Sequence, residues 1–174
     1  MTAFAEPAAE GRDKAEMYRK GMSQKEATVI LNNLLGNNNQ IILQNAESGE
    51  EVRLSKRSIG KLLSNAAAEK SIANGFERKQ HYAAVSDIDN LFANSVKIME
   101  HPDKNNTNYV FIHRYVAPLY FDNSVAYITV KETREPKQSG KRIYSAELIE
   151  IKKLGGKLET VRKKSSYQFP NPEL

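Results

Sequence analysis

Apolar residues recur along this chain first at helical spacing and later at the alternating spacing of strands. Ser23-Gln-Lys-Glu26 has the form of a capping box, its hydroxyl and carboxylate closing each other's free N–H groups. Behind it Ala27, Ile30, Leu31, Leu34 and Leu35 share one helical face and Gly36 supplies a left-handed stop, so a helix is predicted over 24–35. Asp13 to Met22 reads as a shorter helix ahead of it. Ser55 opens a second amphipathic stretch, with Ile59, Leu62, Leu63, Ala66 and Ala67 on one face, that ends near Asn74-Gly75. A third, from about Arg78 to Ser95, turns Val85, Ile88, Leu91, Phe92 and Val96 inward. Asn39–Asn45 and Glu51–Leu54 flank the turn composition Ala46-Glu-Ser-Gly49, which predicts a hairpin.

After a polar loop, His101 to Asn108, the texture becomes β-branched and aromatic over Tyr109–Phe121, Ser124–Arg134 and Lys141–Ile151. Asp122-Asn123 and Pro136–Gly140 supply the reversals. In the middle run Val125, Tyr127, Thr129 and Lys131 share one face, and Ala126, Ile128, Val130 and Glu132 the other. Such alternation predicts one covered and one wet face. Pro118 has no N–H to donate, so the first strand is expected to break, bulge or lie at an edge there. The fold class read from this pattern is α+β, with N-terminal helices and a small hairpin packed on a C-terminal antiparallel β-meander. Residues 1–11 read as a disordered leader, 12–153 as a single domain and 154–174 as a basic flexible tail.

Composition narrows the chemistry. With 174 residues and no cysteine, the chain has no disulfides, thiolate metal sites or cysteine nucleophiles. No apolar run approaches the roughly 18–20 residues of a membrane-spanning helix. The net charge of +5 is unevenly placed: Arg134 to Lys164 carries +6 and everything else about −1. A local basic patch is the footprint of a surface that meets phosphates or an acidic protein; a solvated tail is the plainer reading. The phosphate-cradling, dinucleotide, zinc-protease and nucleophile-elbow signatures are all missing.

What remains is a set able to do metal-free acid-base work, with no cofactor. His81, His113, Lys131 and Tyr144 are the candidate catalytic groups. Arg114, Thr133, Ser145, Lys141 and Arg142 are the candidate phosphate or RNA contacts. Cleaving RNA without metal needs a base for the 2′-hydroxyl, an acid for the leaving 5′-oxygen, and cations around the phosphorane. Each residue has an ordinary reading as well. His81 starts a helix in a polar stretch and reads as solvent-facing, His101 reads as a loop residue, His113 as a wet-face strand residue, and Lys131 as a strand-end lysine that snorkels. Tyr115, Tyr120, Tyr127 and Tyr144 stack bases in one reading and fill an amphipathic sheet in the other.

Leu54-Ser-Lys-Arg-Ser-Ile-Gly-Lys-Leu-Leu-Ser64, Ala68-Glu-Lys-Ser71 and His81-Tyr-Ala-Ala-Val-Ser-Asp-Ile-Asp-Asn-Leu-Phe92 resemble phrases of the large polyvalent protein associated domains. So do His113-Arg-Tyr-Val-Ala-Pro118, Tyr127-Ile-Thr-Val-Lys-Glu132 and Tyr144-Ser-Ala-Glu147. These domains belong to long proteins of phages, prophages and conjugative elements. Helices followed by an antiparallel sheet is also the layout of the superfamily of barnase, EndoU, colicin and RelE ribonucleases. The resemblance implies a toxin-like endoribonuclease that cleaves RNA, tRNA included, through a 2′,3′-cyclic phosphate. His81, His113, Lys131 and Tyr144 would then converge on one cleft. An acidic immunity protein would be its partner and the cytoplasm, after delivery into a target cell, its place of action. The alternative is a non-catalytic phage or mobile-element module that binds nucleic acid or protein; a transferase toxin is a third reading.

Overall fold

Ser23 caps the first long helix as its sequence requires, its Oγ accepting from the Glu26 N–H at 3.1 Å, and Gly36 ends it at φ 61°. The computed structural model describes residues 9–102, 111–134 and 142–154. Helix α1 (Ala9–Lys20) begins inside the stretch read as a leader, and α2 (Gln24–Leu35) has the predicted bounds. A hairpin follows, β1 (Gln40–Gln44) and β2 (Glu51–Ser55), then α3 (Lys56–Leu62), α4 (Asn65–Ala73), α5 (Arg78–Ser86) and α6 (Ile88–Ala93). Four strands complete the order: β3 (Val96–Pro102), β4 (Phe111–Pro118), β5 (Ser124–Arg134) and β6 (Arg142–Lys153). Residues 1–8, the Pro136–Gly140 reversal, Lys141 and most of the expected tail lie outside the described residues. No helix among the described residues is long and apolar enough to cross a membrane.

Both longer helical predictions divide. The stretch after Ser55 breaks at Leu63, because the Ser64 hydroxyl accepts from the Ala67 N–H at 3.2 Å and starts a new helix. The stretch from Arg78 breaks at Asp87, whose carboxylate receives Lys14 Nζ at 2.5 Å, the Tyr18 hydroxyl and Asn90 Nδ2 at 2.7 Å. On α2, Ala27, Leu31 and Leu35 are buried, but Ile30, expected inward, is exposed beside Val29.

The sheet is mixed and six-stranded, in the order β1-β2-β6-β5-β4-β3. The predicted antiparallel meander is present with β3 as a fourth strand, built from residues read as helix end and loop. Pro118 ends β4, and the turn that follows holds Asp122 and Asn123 at positive φ. The hairpin joins the far side of β6 through a parallel contact, Arg53 opposite Ser145. A flat sheet of this width would hold its outer strands some 24 Å apart, at about 4.8 Å per step. Yet Asn45, at the end of β1, donates through Nδ2 to the carbonyls of Phe92 and Ser95 at 2.8 Å, just before β3, and Glu50 bonds Lys97 and the Tyr115 hydroxyl. The sheet is therefore curled, and the helices fill its inner face.

Inner and outer faces follow from register. His113, Tyr115, Ala126, Ile128, Val130, Glu132, Ala146, Ile149 and Ile151 point inward and are buried. An extra residue in β6, Glu147, lets Leu148 return to the outer face opposite Thr129. Helix α5 lies at the centre of the helical layer, with every residue from Gln80 to Ser86 buried. His81 locks it in place: Ser71 Oγ accepts from the Ile151 N–H at 3.1 Å and donates to His81 Nδ1 at 2.8 Å, while His81 Nε2 donates to the Leu62 carbonyl at 2.9 Å.

Burial holds the His81 imidazole below its ordinary pKa. The unfolded chain takes up the proton first, so this contribution is complete above about pH 6.5, the unfolded value, and is lost as pH falls below it. Urea unfolding from about pH 7.5 to about pH 5.5 is expected to cost the wild type more stability than His81→Gln. Ser71→Ala, which strips both His81 Nδ1 and the Ile151 N–H of their partner, is expected to destabilise by about 1–3 kcal/mol at neutral pH.

Candidate functional site

Register divides the predicted site residues between the two faces of the sheet. His113 lies inward on β4, its Nε2 2.9 Å from Glu132 Oε1, with both side chains 2% exposed. Tyr144 shares that face, its ring centroid 5.4 Å from the imidazole. Glu100 comes within 3.8 Å of His113 Nδ1 and bonds Lys97 at 3.0 Å, and Lys97 meets Glu50 at 3.1 Å. Burial opposes the charge on Lys97, but Glu100 and Glu50 outweigh it and raise its pKa. Tyr115, Glu50, Lys97 and Glu100 thus form one polar chain under the sheet that joins the hairpin tip to β3 and β4, and the His113–Glu132 pair lies beside it, with His113 Nδ1 buried and making no hydrogen bond among the described residues.

This corrects the reading of His113 as a wet-face strand residue. His81 is equally remote from solvent, and it is linked through Ser71 to the Ile151 end of β6, while Tyr144 lies seven residues back along the strand, about 23 Å from Ile151 at 3.3 Å per residue. The four residues expected to meet in one cleft are therefore apart. His81 belongs to the helical core, His113 and Tyr144 to the inner face, and Lys131 to the outer face.

The outer face gathers the rest. His101, Ile112, Lys131, Ser145 and Arg53 are directly paired across β3, β4, β5, β6 and β2, and so form one transverse row. Partners on neighbouring strands stand about 5 Å apart, which puts His101 and Lys131 about 10 Å from each other, a span that one phosphate and two side chains fill. Arg114 sits in the next row, opposite Met99 and Thr129, and Thr133 in the row on the other side, opposite Ile143. All the polar members are partly exposed, and Arg114 Nε is buried without a hydrogen-bond partner among the described residues. At the other end of the same face Val96, Val116, Val125 and Leu154 make a small apolar cluster flanked by Tyr127. Arg142 opens β6 opposite Arg134, and its side chain, like Lys141, lies outside what is described.

His101 and Arg53 were not among the expected site residues. His101 precedes Pro102 and an asparagine-rich run, a loop composition that hid the strand. Arg53 was open to view, because Val52 and Leu54 alternate inward on either side of it.

The sequence model of one family, Large polyvalent protein-associated domain 3, matches residues 18–144. The chain belongs to that family. No curated protein and no solved structure matches it. In this polyvalent protein-associated domain the match runs from Tyr18, whose hydroxyl bonds Asp87, to Tyr144 at the start of β6. It takes in Arg53, His101, Arg114 and Lys131 of the outer face and the inner ionic chain alike.

The two faces predict opposite responses to neighbouring substitutions. Glu132→Leu, which leaves His113 Nε2 buried without its acceptor, is expected to cost about 2–4 kcal/mol in urea unfolding. Lys131→Leu, one residue away and facing out, is expected to cost less than about 1 kcal/mol. Equal losses would mean that the assignment of faces is wrong.

Proposed function

We propose that this domain is a metal-independent ribonuclease of a phage or mobile-element polyvalent protein, and that it works with the outer face of its sheet. The observation that carries the reading is the transverse row. It sets an imidazole, an ammonium, a hydroxyl and a guanidinium in one line, with Ile112 between the first two and with Arg114 and Thr133 in the flanking rows. In this chemistry His101 removes the proton of the 2′-hydroxyl and the 2′-oxygen attacks phosphorus. The bond to the 5′-oxygen breaks and that oxygen takes a proton from Lys131. A 2′,3′-cyclic phosphate and a free 5′-hydroxyl result. Arg114, partly exposed in the neighbouring row, supplies guanidinium charge to the phosphorane oxygens. His113, Tyr144 and His81 serve the framework in this reading. An acidic inhibitor covering the outer face would be the matching immunity partner.

The second reading is a module that binds nucleic acid without cutting it. What favours it is that His101 is the single histidine on the outer face among the described residues, whereas the cations suffice for phosphate contacts.

The test is incubation of the purified chain with structured and single-stranded RNA, tRNA included, in excess chelator, with the ends of any product identified. Cyclic-phosphate products are expected. His101→Gln and Lys131→Met are each expected to slow their formation by about 10² or more, within the range of acid-base and electrostatic groups. RNA that stays intact while still binding in a salt-dependent way would favour the second reading.

A further inference from the structure

We infer that a groove between α3, α4 and the bulged part of β6 holds the phosphate backbone of a nucleic-acid strand that continues off the outer face. The groove has a volume of about 530 Å³ and is lined by Arg57, Gly60, Lys61 and Lys70, with Glu147 and Leu148 on the strand side. Three cations face one carboxylate there. Lys61 is held by Glu147 at 2.6 Å, while Arg57 and Lys70 are exposed and form no ion pair among the described residues. Charge of this kind, left unneutralised along an open surface groove, fits a polyanionic chain.

Gly60 supplies an independent reason. It sits within a helix, where glycine is the poorest choice after proline. Its φ is not positive, and a Cβ placed there would have nothing within 4 Å, so neither backbone conformation nor packing requires it. What the missing side chain does is keep the groove floor clear between Arg57 and Lys61.

The groove is also continuous with the transverse row. Leu148 lies on the outer face opposite Thr129 and lines the groove. Arg53 ends the row on β2, and the chain passes from it directly through Ser55 into α3, whose second residue is Arg57. A strand crossing from Lys131 over Ser145 and Arg53 therefore meets Arg57, Lys61 and Lys70 next. The inference rests on the outer face being the surface that meets RNA, and it adds where the rest of the strand runs.

The experiment measures binding of a fluorescent 2′-deoxy oligonucleotide, which lacks the attacking hydroxyl, to the full chain across a salt series. Binding loss then registers whether or not the domain cleaves RNA. The double variant Arg57→Gln/Lys70→Gln is expected to bind at least about tenfold more weakly, with a salt slope shallower by about 1.4, the value for two single-strand phosphate contacts. Gly60→Leu is expected to weaken binding while its Tm stays level or rises, because leucine favours the helix and its Cβ has nothing within 4 Å. Wild-type affinity and slope in the double variant, or wild-type affinity in Gly60→Leu, would overturn the assignment. So would an oligoglutamate that competes as well as the oligonucleotide, since the groove would then suit an acidic protein. Normal binding by Lys131→Met together with loss in the groove variants would uphold the groove and remove the outer face from the path.

Discussion

The tie between the hairpin tip and the start of β3 governs this fold. Asn45 is 1% exposed, and its side chain donates to Phe92 and Ser95 and accepts from the Glu47 and Ser48 N–H groups. One buried amide thus satisfies groups from both ends of a six-stranded sheet. Glu50 reinforces it with Lys97 and Tyr115. Bringing these elements together curls the sheet around α4, α5 and α6, and the curl decides which residues face in. Removing the amide would leave several buried polar groups unpaired at once, which is why so small a contact has so large a reach.

The curl also separates two kinds of polar residue that look alike in the sequence. On the inner face, Tyr115, Glu50, Lys97 and Glu100 are matched one against the next, and His113 is held by Glu132. On the outer face, His101, Arg53, Arg114, Thr133 and Ser145 stand on a strand lattice whose spacing is set by backbone hydrogen bonds. All of these outer-face side chains are partly exposed.

Much of the architecture was legible from periodicity. The bounds of α2, the hairpin, the turn at Asp122-Asn123 and the grouping of Ala126, Ile128, Val130 and Glu132 on one face all follow from local rules. The breaks at Ser64 and Asp87 were hidden because each depends on a polar side chain competing with the helix: a serine that caps the next helix, and an aspartate held by partners on α1. The site was far less legible. Alternation says that His113 and Arg114 point opposite ways, but not which of them points inward. That depends on pairing His113 with Val130, a matter of register between strands. His81 reads as a polar helix start, and nothing local reveals that Ser71 and Leu62 enclose it.

The parallel contact between β2 and β6 has a consequence for how this surface comes into being. β6 is the last strand among the described residues, yet it sits between the hairpin and the rest of the meander. A nascent chain that has emerged as far as β5 holds His101 and Lys131 on one piece of sheet and Arg53 on another, with nothing to join them. Pairings between distant parts of a chain form late and slowly, because loop closure must come first. The transverse row is therefore completed by the final strand, and a chain cut short before it would carry every cation of the row without presenting them as one surface.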